Sequence, residues 1–167
     1  MKIRIFWILF WMSLSVWGQQ ECRCCDASYR VFDFWLGKWE VRLADGSPAG
    51  VNEITKEQGG CILREQWKSA KGGVTGTSLN FYNSSIDQWE QIWVDSSGNV
   101  LKLKGGPEGN QMRLASEPFK NAEGKLVVNR ITWTPNPDGS VRQHWEVLED
   151  GKVSQVLFDG YYRKVNE

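Results

Sequence analysis

A chain of 167 residues has the length of one domain and is short for two separate cores. Its apolar fraction of 41% supports a packed interior, and its 20 basic side chains balance 20 acidic ones. That balance, with no long run of either sign, gives no field that would favour nucleic acid or an anionic membrane as a partner.

Taken in chain order, residues 1–18 read as a secretory signal peptide. Lys2 and Arg4 make a basic start, Ile5 to Val16 is almost unbroken apolar sequence, and Gly18 supplies the small residue at the cleavage point. The run is shorter than the roughly 20 residues a membrane span needs. The expectation is therefore an exported chain, periplasmic or secreted, with no transmembrane segment once the signal is removed. The rival is an uncleaved anchor. Gln19-Gln20-Glu21 ahead of Cys22 does not form a lipoprotein cleavage box, which argues against a lipid anchor.

Residues 19–31 form a lead that carries Cys22, Cys24 and Cys25; the fourth cysteine is Cys61. Export would place all four in an oxidising compartment. Four cysteines allow three pairings, and spacing alone does not choose among them. A bond from Cys61 to Cys24 or Cys25 is favoured, because it staples the lead to the body, and a bond between the neighbours Cys24 and Cys25 is strained. The compact Cys-x-Cys-Cys run also suits a soft metal, but the paired spacing typical of zinc is missing, so no metal is expected. Ser28 to Leu36 is at most a short helical stretch.

From there the chain reads as short strands with turn punctuation. Trp39 to Leu43 alternates apolar and polar and ends at Asp45-Gly46. Val51 to Lys56, Cys61 to Trp67, Thr75 to Tyr82, Trp89 to Val94 and Val100 to Lys104 follow. Gln111 to Ala115, Leu126 to Trp133, Val141 to Leu148 and Val153 to Arg163 complete the set. Gly, Asn, Asp, Ser and Pro clusters separate most of them. About ten strands without a helical stripe predict an all-β fold over residues 32–165, a sandwich or a barrel.

The choice between these two comes from a resemblance. Gly37-Lys38-Trp39, following Phe32-Asp33-Phe34-Trp35-Leu36, resembles the Gly-x-Trp opening of calycins, the lipocalin and fatty-acid-binding superfamily. The resemblance implies that Gly37 lets the first strand bend and that Trp39 plugs a closed barrel end. It also implies that Arg163, at the end of Phe158-Asp159-Gly160-Tyr161-Tyr162-Arg163, stacks on that tryptophan. More broadly, FDFWLGKWEV, GGCILREQW, GTSLNFYN, QWEQIWVDSSG, RITWTPNPDGSVRQHWE and FDGYYRK are similar to segments of a family of bacterial secreted proteins of unknown function. These segments span residues 32–163. The implied fold is a single antiparallel calycin-like β-barrel of about 8–10 strands behind a short helical or irregular lead; no activity comes with it.

Tryptophan is the compositional outlier, with ten in the chain and seven left after removal of Trp7, Trp11 and Trp17. The two-residue period of a strand sorts those seven. Cys61, Leu63, Glu65 and Trp67 share a face, as do Gly76, Ser78, Asn80 and Tyr82. Trp89, Gln91 and Trp93 share another, and Gln143, Trp145 and Val147 another. If these faces point inward, Trp67, Trp89, Trp93 and Trp145 stand beside Glu65, Asn80, Gln91 and Gln143. Such a wall suits a ligand with a flat apolar body and hydrogen-bonding groups. Glu65 is either a working carboxylate or half of an interior ion pair with Arg130 or Arg142. Arg130, if buried, would bind a ligand carboxylate, as interior arginines do in the fatty-acid-binding proteins that the chain resembles. Trp35, Trp133 and Tyr162 either fill the core or form an exposed stacking platform.

His144, the sole histidine, excludes a multi-histidine metal site and is out of phase with Trp145, hence on the outside. No phosphate loop, zinc helix or nucleophile elbow is present, and no cofactor is expected. The leading expectation is a non-catalytic binder of a small amphipathic ligand. The alternatives are an isomerase- or lyase-type enzyme using Glu65, Arg130 and Tyr82, and an envelope or interaction protein with a packed core.

Overall fold

The computed structural model describes residues 22–165; residues 1–18, where a signal peptide is expected, and the first residues of the lead lie outside the described residues. After 3-10 turns at Ala27–Tyr29 and Asp33–Trp35 come eleven strands. They are β1 (Gly37–Leu43), β2 (Pro48–Glu57), β3 (Ile62–Ser69), β4 (Thr75–Asn83), β5 (Gln88–Asp95) and β6 (Val100–Glu108). Then follow β7 (Gln111–Ala115), β8 (Phe119–Lys120), β9 (Leu126–Pro135), β10 (Val141–Glu149) and β11 (Lys152–Lys164). All ten expected strands are present, with β8 a two-residue addition on the flank of β9.

Each barrel strand pairs antiparallel with the next. β10 pairs with both β9 and β11, and β11 pairs back onto β1, so ten strands close into a barrel with β8 outside the ring. Closure leaves no free edge in the ring, the usual hazard of an isolated sheet. The architecture is an all-β, closed antiparallel barrel, compatible with a calycin-like barrel.

The two ends differ. At one end the lead folds across the opening, and Phe32, Trp35, Trp39, Trp89, Trp133 and Tyr162 are all buried. Phe32 stacks on Trp35 with ring centres 5.1 Å apart and meets Trp133 edge-on at 5.2 Å. Trp39 donates its indole N–H to the Trp35 carbonyl at 2.9 Å, and Trp89 donates to the Ser28 carbonyl at 3.0 Å. These aromatic contacts bury large areas and fix the lead as a plug. Two disulfides hold the lead. Cys24–Cys61 ties it to the turn before β3, with Cα atoms 5.0 Å apart, and Cys22–Cys25 closes a short loop within it.

The Gly-x-Trp feature takes its expected place, with one exchange of partner. Gly37 has a φ of +128°, a region open in practice only to glycine, and Trp39 is buried in the closed end. Trp39, however, lies opposite Lys164 in the β1–β11 register, and the Lys164 ammonium sits 5.4 Å from its ring centre. Arg163 is one residue out of phase, exposed, and opposite Glu40. The expected arginine stack is therefore a lysine stack: a one-residue offset places Arg163 on the outer face.

Trp35, Trp133 and Tyr162 are 0–1% exposed, so the stacking platform is ruled out in favour of core.

Candidate functional site

Above the plug, toward the end that carries the β3–β4, β5–β6 and β10–β11 turns, the lumen stays open. A cavity of about 180 Å³ is bounded by Glu65, Trp67, Gln91, Trp93, Gln143 and Trp145, with Leu101, Ile131, Leu157, Phe158 and Tyr162 completing the wall. Six of the nine residues expected in a ligand site are thus on one cavity. The volume is below that of pockets for drug-sized molecules and close to that of apolar cavities that accept a single aromatic ring.

Glycines explain why so many rings leave space. A side-chain carbon at Gly76 would overlap the Trp93 ring, one at Gly50 would overlap the Trp67 ring, and one at Gly160 would overlap the Phe158 ring. The rings approach bare backbone at places where any other residue would carry a side chain. A bulge contributes as well. In the β10–β11 register Trp145 faces Phe158 while Glu146 faces Val156, which leaves Leu157 without a partner. An extra residue in one strand shifts its inward-outward alternation, and Leu157 and Phe158, neighbours in sequence, both reach the cavity.

The floor is polar. Glu65 is 4% exposed. Its Oε1 accepts from Asn52 Nδ2 at 2.7 Å, and its Oε2 accepts from Ser78 Oγ at 2.6 Å. Asn80 Nδ2 donates to Ser78 Oγ at 2.9 Å and to the Leu63 carbonyl at 3.1 Å, and Gln91 Nε2 donates to Asn80 Oδ1 at 2.7 Å. On the other side Tyr162 donates its hydroxyl to Gln143 Oε1. The floor is one connected network across β2, β3, β4, β5, β10 and β11. Register makes it possible, since Glu65 faces Ser78 across β3–β4 and Ile54 across β2–β3, one pleat from Asn52.

Glu65 has no cation. Among the described residues it makes no salt bridge, and no lysine, arginine or histidine lines the cavity. Burial pushes its carboxyl up from the ordinary range, against the smaller opposing pull of the Ser78 and Asn52 hydrogen bonds. Burial, with the Glu65 charge as second cause, pushes the Tyr162 hydroxyl well above its usual value. The expected interior ion pair is therefore absent. Arg130 points away from the lumen, because it is out of phase with Ile131 and Trp133. It grips Glu146 through Nε and Nη2 at 3.1 and 2.8 Å. Arg142 likewise grips Asp159 on the outer face at 2.7 and 2.8 Å.

Three further expected residues lie apart from the cavity wall. Asn80 is wholly buried beneath it, in the network. Trp89 belongs to the plug. Tyr82 sits at the plugged end, bonded to Asp87 and edge-on to Tyr29 at 5.0 Å, so Glu65, Arg130 and Tyr82 do not converge. His144 is on the outer face beside Glu146, 3.6 Å from its carboxylate. Sequence reasoning missed Asn52 and Tyr162 as site residues. Their signal was present: Asn52 is in phase with Ile54 on β2, and Tyr162 is in phase with Gly160 on β11.

Fold and site together define a closed antiparallel β-barrel with one plugged end and an aromatic-walled, carboxylate-floored cavity toward the other. No family model matches the chain, and no curated protein matches it either. Among the described residues no helix is long and apolar enough to cross a membrane, and no group of three or more acidic, histidine or cysteine side chains is placed to hold a metal.

Proposed function

We propose that the chain is an exported calycin-like protein that binds a small amphipathic ligand in its tryptophan-walled lumen without catalysing a reaction. The cavity carries this reading. A core selected only for stability would fill its lumen, since empty space forfeits packing. Here three glycines leave room for rings that any side chain would displace, and space remains beside a polar floor. Export is supported by the signal-like residues 1–18 and by the engagement of all four cysteines in disulfides, the pattern of oxidising compartments.

The test is spectroscopic. The indole N–H resonances of Trp67, Trp93 and Trp145 are followed while one-ring compounds are titrated into the full mature chain. Saturable shifts at these three, with those of Trp35 and Trp133 unmoved, are expected. Resonances that stay fixed across cationic, neutral and anionic compounds would overturn the binding function. Native mass spectrometry of protein taken from its own source would then show the natural ligand as an adduct lost on denaturation.

A further inference from the structure

The cavity joins two features: a buried carboxylate with no cation among the described residues, and tryptophan rings around it. Glu65 uses one lone-pair direction on each oxygen for Asn52 and Ser78, while a carboxylate offers about four. Glu65 also lines the space bordered by Trp67, Trp93 and Trp145. An aromatic face carries negative potential and attracts a cation within about 6 Å of the ring centre. Carboxylate and ring faces therefore favour the same sign of charge.

The neighbours reinforce this. Gln143 Oε1 and Asn80 Oδ1 are acceptors already engaged by Tyr162 and Gln91, and Asn52 Oδ1 is a buried acceptor with no donor among the described residues. All three are neutral amides, so none of them neutralises the Glu65 charge. The charged side chains on the strands around Glu65 do not compensate. Arg64 and Lys68 on β3 are one and three residues out of phase. Glu53 on β2 is opposite Gln66 and paired with Lys38 at 3.8 Å. Arg142 on β10 is committed to Asp159. Tyr162 on β11, facing Glu65, is the other titratable group on the cavity wall and is neutral below its raised pKa.

We infer that the lumen takes a small organic cation, an ammonium group on a compact apolar body of about one ring, with the ammonium against Glu65 and the body between the tryptophans. This rests on the binding function proposed above and reverses the expectation of a ligand carboxylate, which needed Arg130 inside. The volume of about 180 Å³ sets the size of the body.

Benzylamine, benzyl alcohol and benzoate share one ring and differ in charge, so they separate the inference from the function it rests on. Binding to the full mature chain is measured by calorimetry and tryptophan fluorescence at neutral pH. The ammonium compound is expected to bind at least tenfold tighter than the alcohol, and benzoate not at all. Glu65→Gln is expected to remove that tenfold preference, with its circular dichroism and the fluorescence of the plug tryptophans matching the wild type to show that the variant folds. Equal binding of amine and alcohol, or tighter benzoate, would overturn the cation inference and leave the cavity function standing. Failure of all three compounds, with the wild-type protein folded by circular dichroism, would overturn both.

Discussion

Asn52 Nδ2 donates to Glu65 Oε1 at 2.7 Å, while the other end of the same amide, Asn52 Oδ1, meets no donor among the described residues. The carboxylate is thus held by two neutral donors, Asn52 and Ser78, and by no charge. Two neutral hydrogen bonds do not repay the desolvation of an anion, which costs several kcal/mol. Glu65 is a buried acid with no charged partner among the described residues, and its behaviour with pH is the first consequence.

The folded pKa of Glu65 is raised, so between the unfolded and the folded value the native state holds a proton that the unfolded chain has released. Where the native state binds more protons, stability falls as pH rises. The stabilisation is fully present below the unfolded value of about 4.3 and is lost as pH climbs through the folded value. Glu65→Gln cannot ionise, so it should lack this component. Urea unfolding of both proteins from pH 4 upward should show the wild type losing stability relative to the variant. A constant difference across that range would mean that Glu65 titrates normally.

Gly76→Ala tests the space-keeping role of the glycines. The added methyl occupies the position of the Trp93 ring, so the ring must swing toward the lumen. Overpacking of this kind costs about 1–3 kcal/mol. The expected result is a folded, modestly destabilised barrel whose one-ring ligands bind at least tenfold more weakly. Gly106→Ala on β6, where nothing lies within 4 Å, is the control and should bind normally. Unchanged ligand affinity in Gly76→Ala would show that the Trp93 ring does not border the binding space.

These two positions also mark what was legible in the sequence. Strand period placed Glu65, Gln91, Trp93 and Trp145 on inward faces correctly, because a closed barrel imposes strict alternation. The same period fails at Leu157, where a bulge inserts one residue, and nothing local in Lys152 to Lys164 announces it. Parity gives two faces but not which is inside. Arg130 shares a face with Thr132, and that face is the outer one, where Glu146 waits across β10. Cysteine pairing was narrowed to Cys61 with Cys24 or Cys25; the choice of Cys24 depends on how the 3-10 turns lay the lead across the opening, which is tertiary information.

The staple and the short loop should differ in worth. Cys24–Cys61 closes 37 residues of separation, and Cys22–Cys25 closes three. Loop-closure entropy gives the longer one about 4 kcal/mol at most. Replacing Cys24 and Cys61 together by serine should lower the thermal midpoint by roughly ten degrees and expose the plug to quenchers of tryptophan fluorescence. By the same relation Cys22–Cys25 is worth about 2 kcal/mol, so replacing it should shift the midpoint by roughly half as much. Equal shifts would place the stabilisation somewhere other than in the anchoring of the lead.

The lysine over Trp39 separates structure from resemblance most directly. Lys164 lies in register with Trp39, its ammonium 5.4 Å from the ring centre, whereas Arg163 is exposed on the opposite face. A partly exposed cation–π contact contributes about 0.5–1 kcal/mol, and the lysine stem also covers Gly37, whose positive φ leaves bare backbone at the start of β1. Lys164→Ala should therefore destabilise the barrel by about 1 kcal/mol, the sum of a weak electrostatic contact and lost apolar cover. Lys164→Met, which keeps the stem and loses the charge, should recover about half of it. Arg163→Ala should change stability by less than about 0.5 kcal/mol, as an exposed side chain does. If the arginine variant proved the weaker of the two in chemical denaturation, the register of β1 against β11 would have to be shifted by one residue, and Tyr162 would leave the lumen with it.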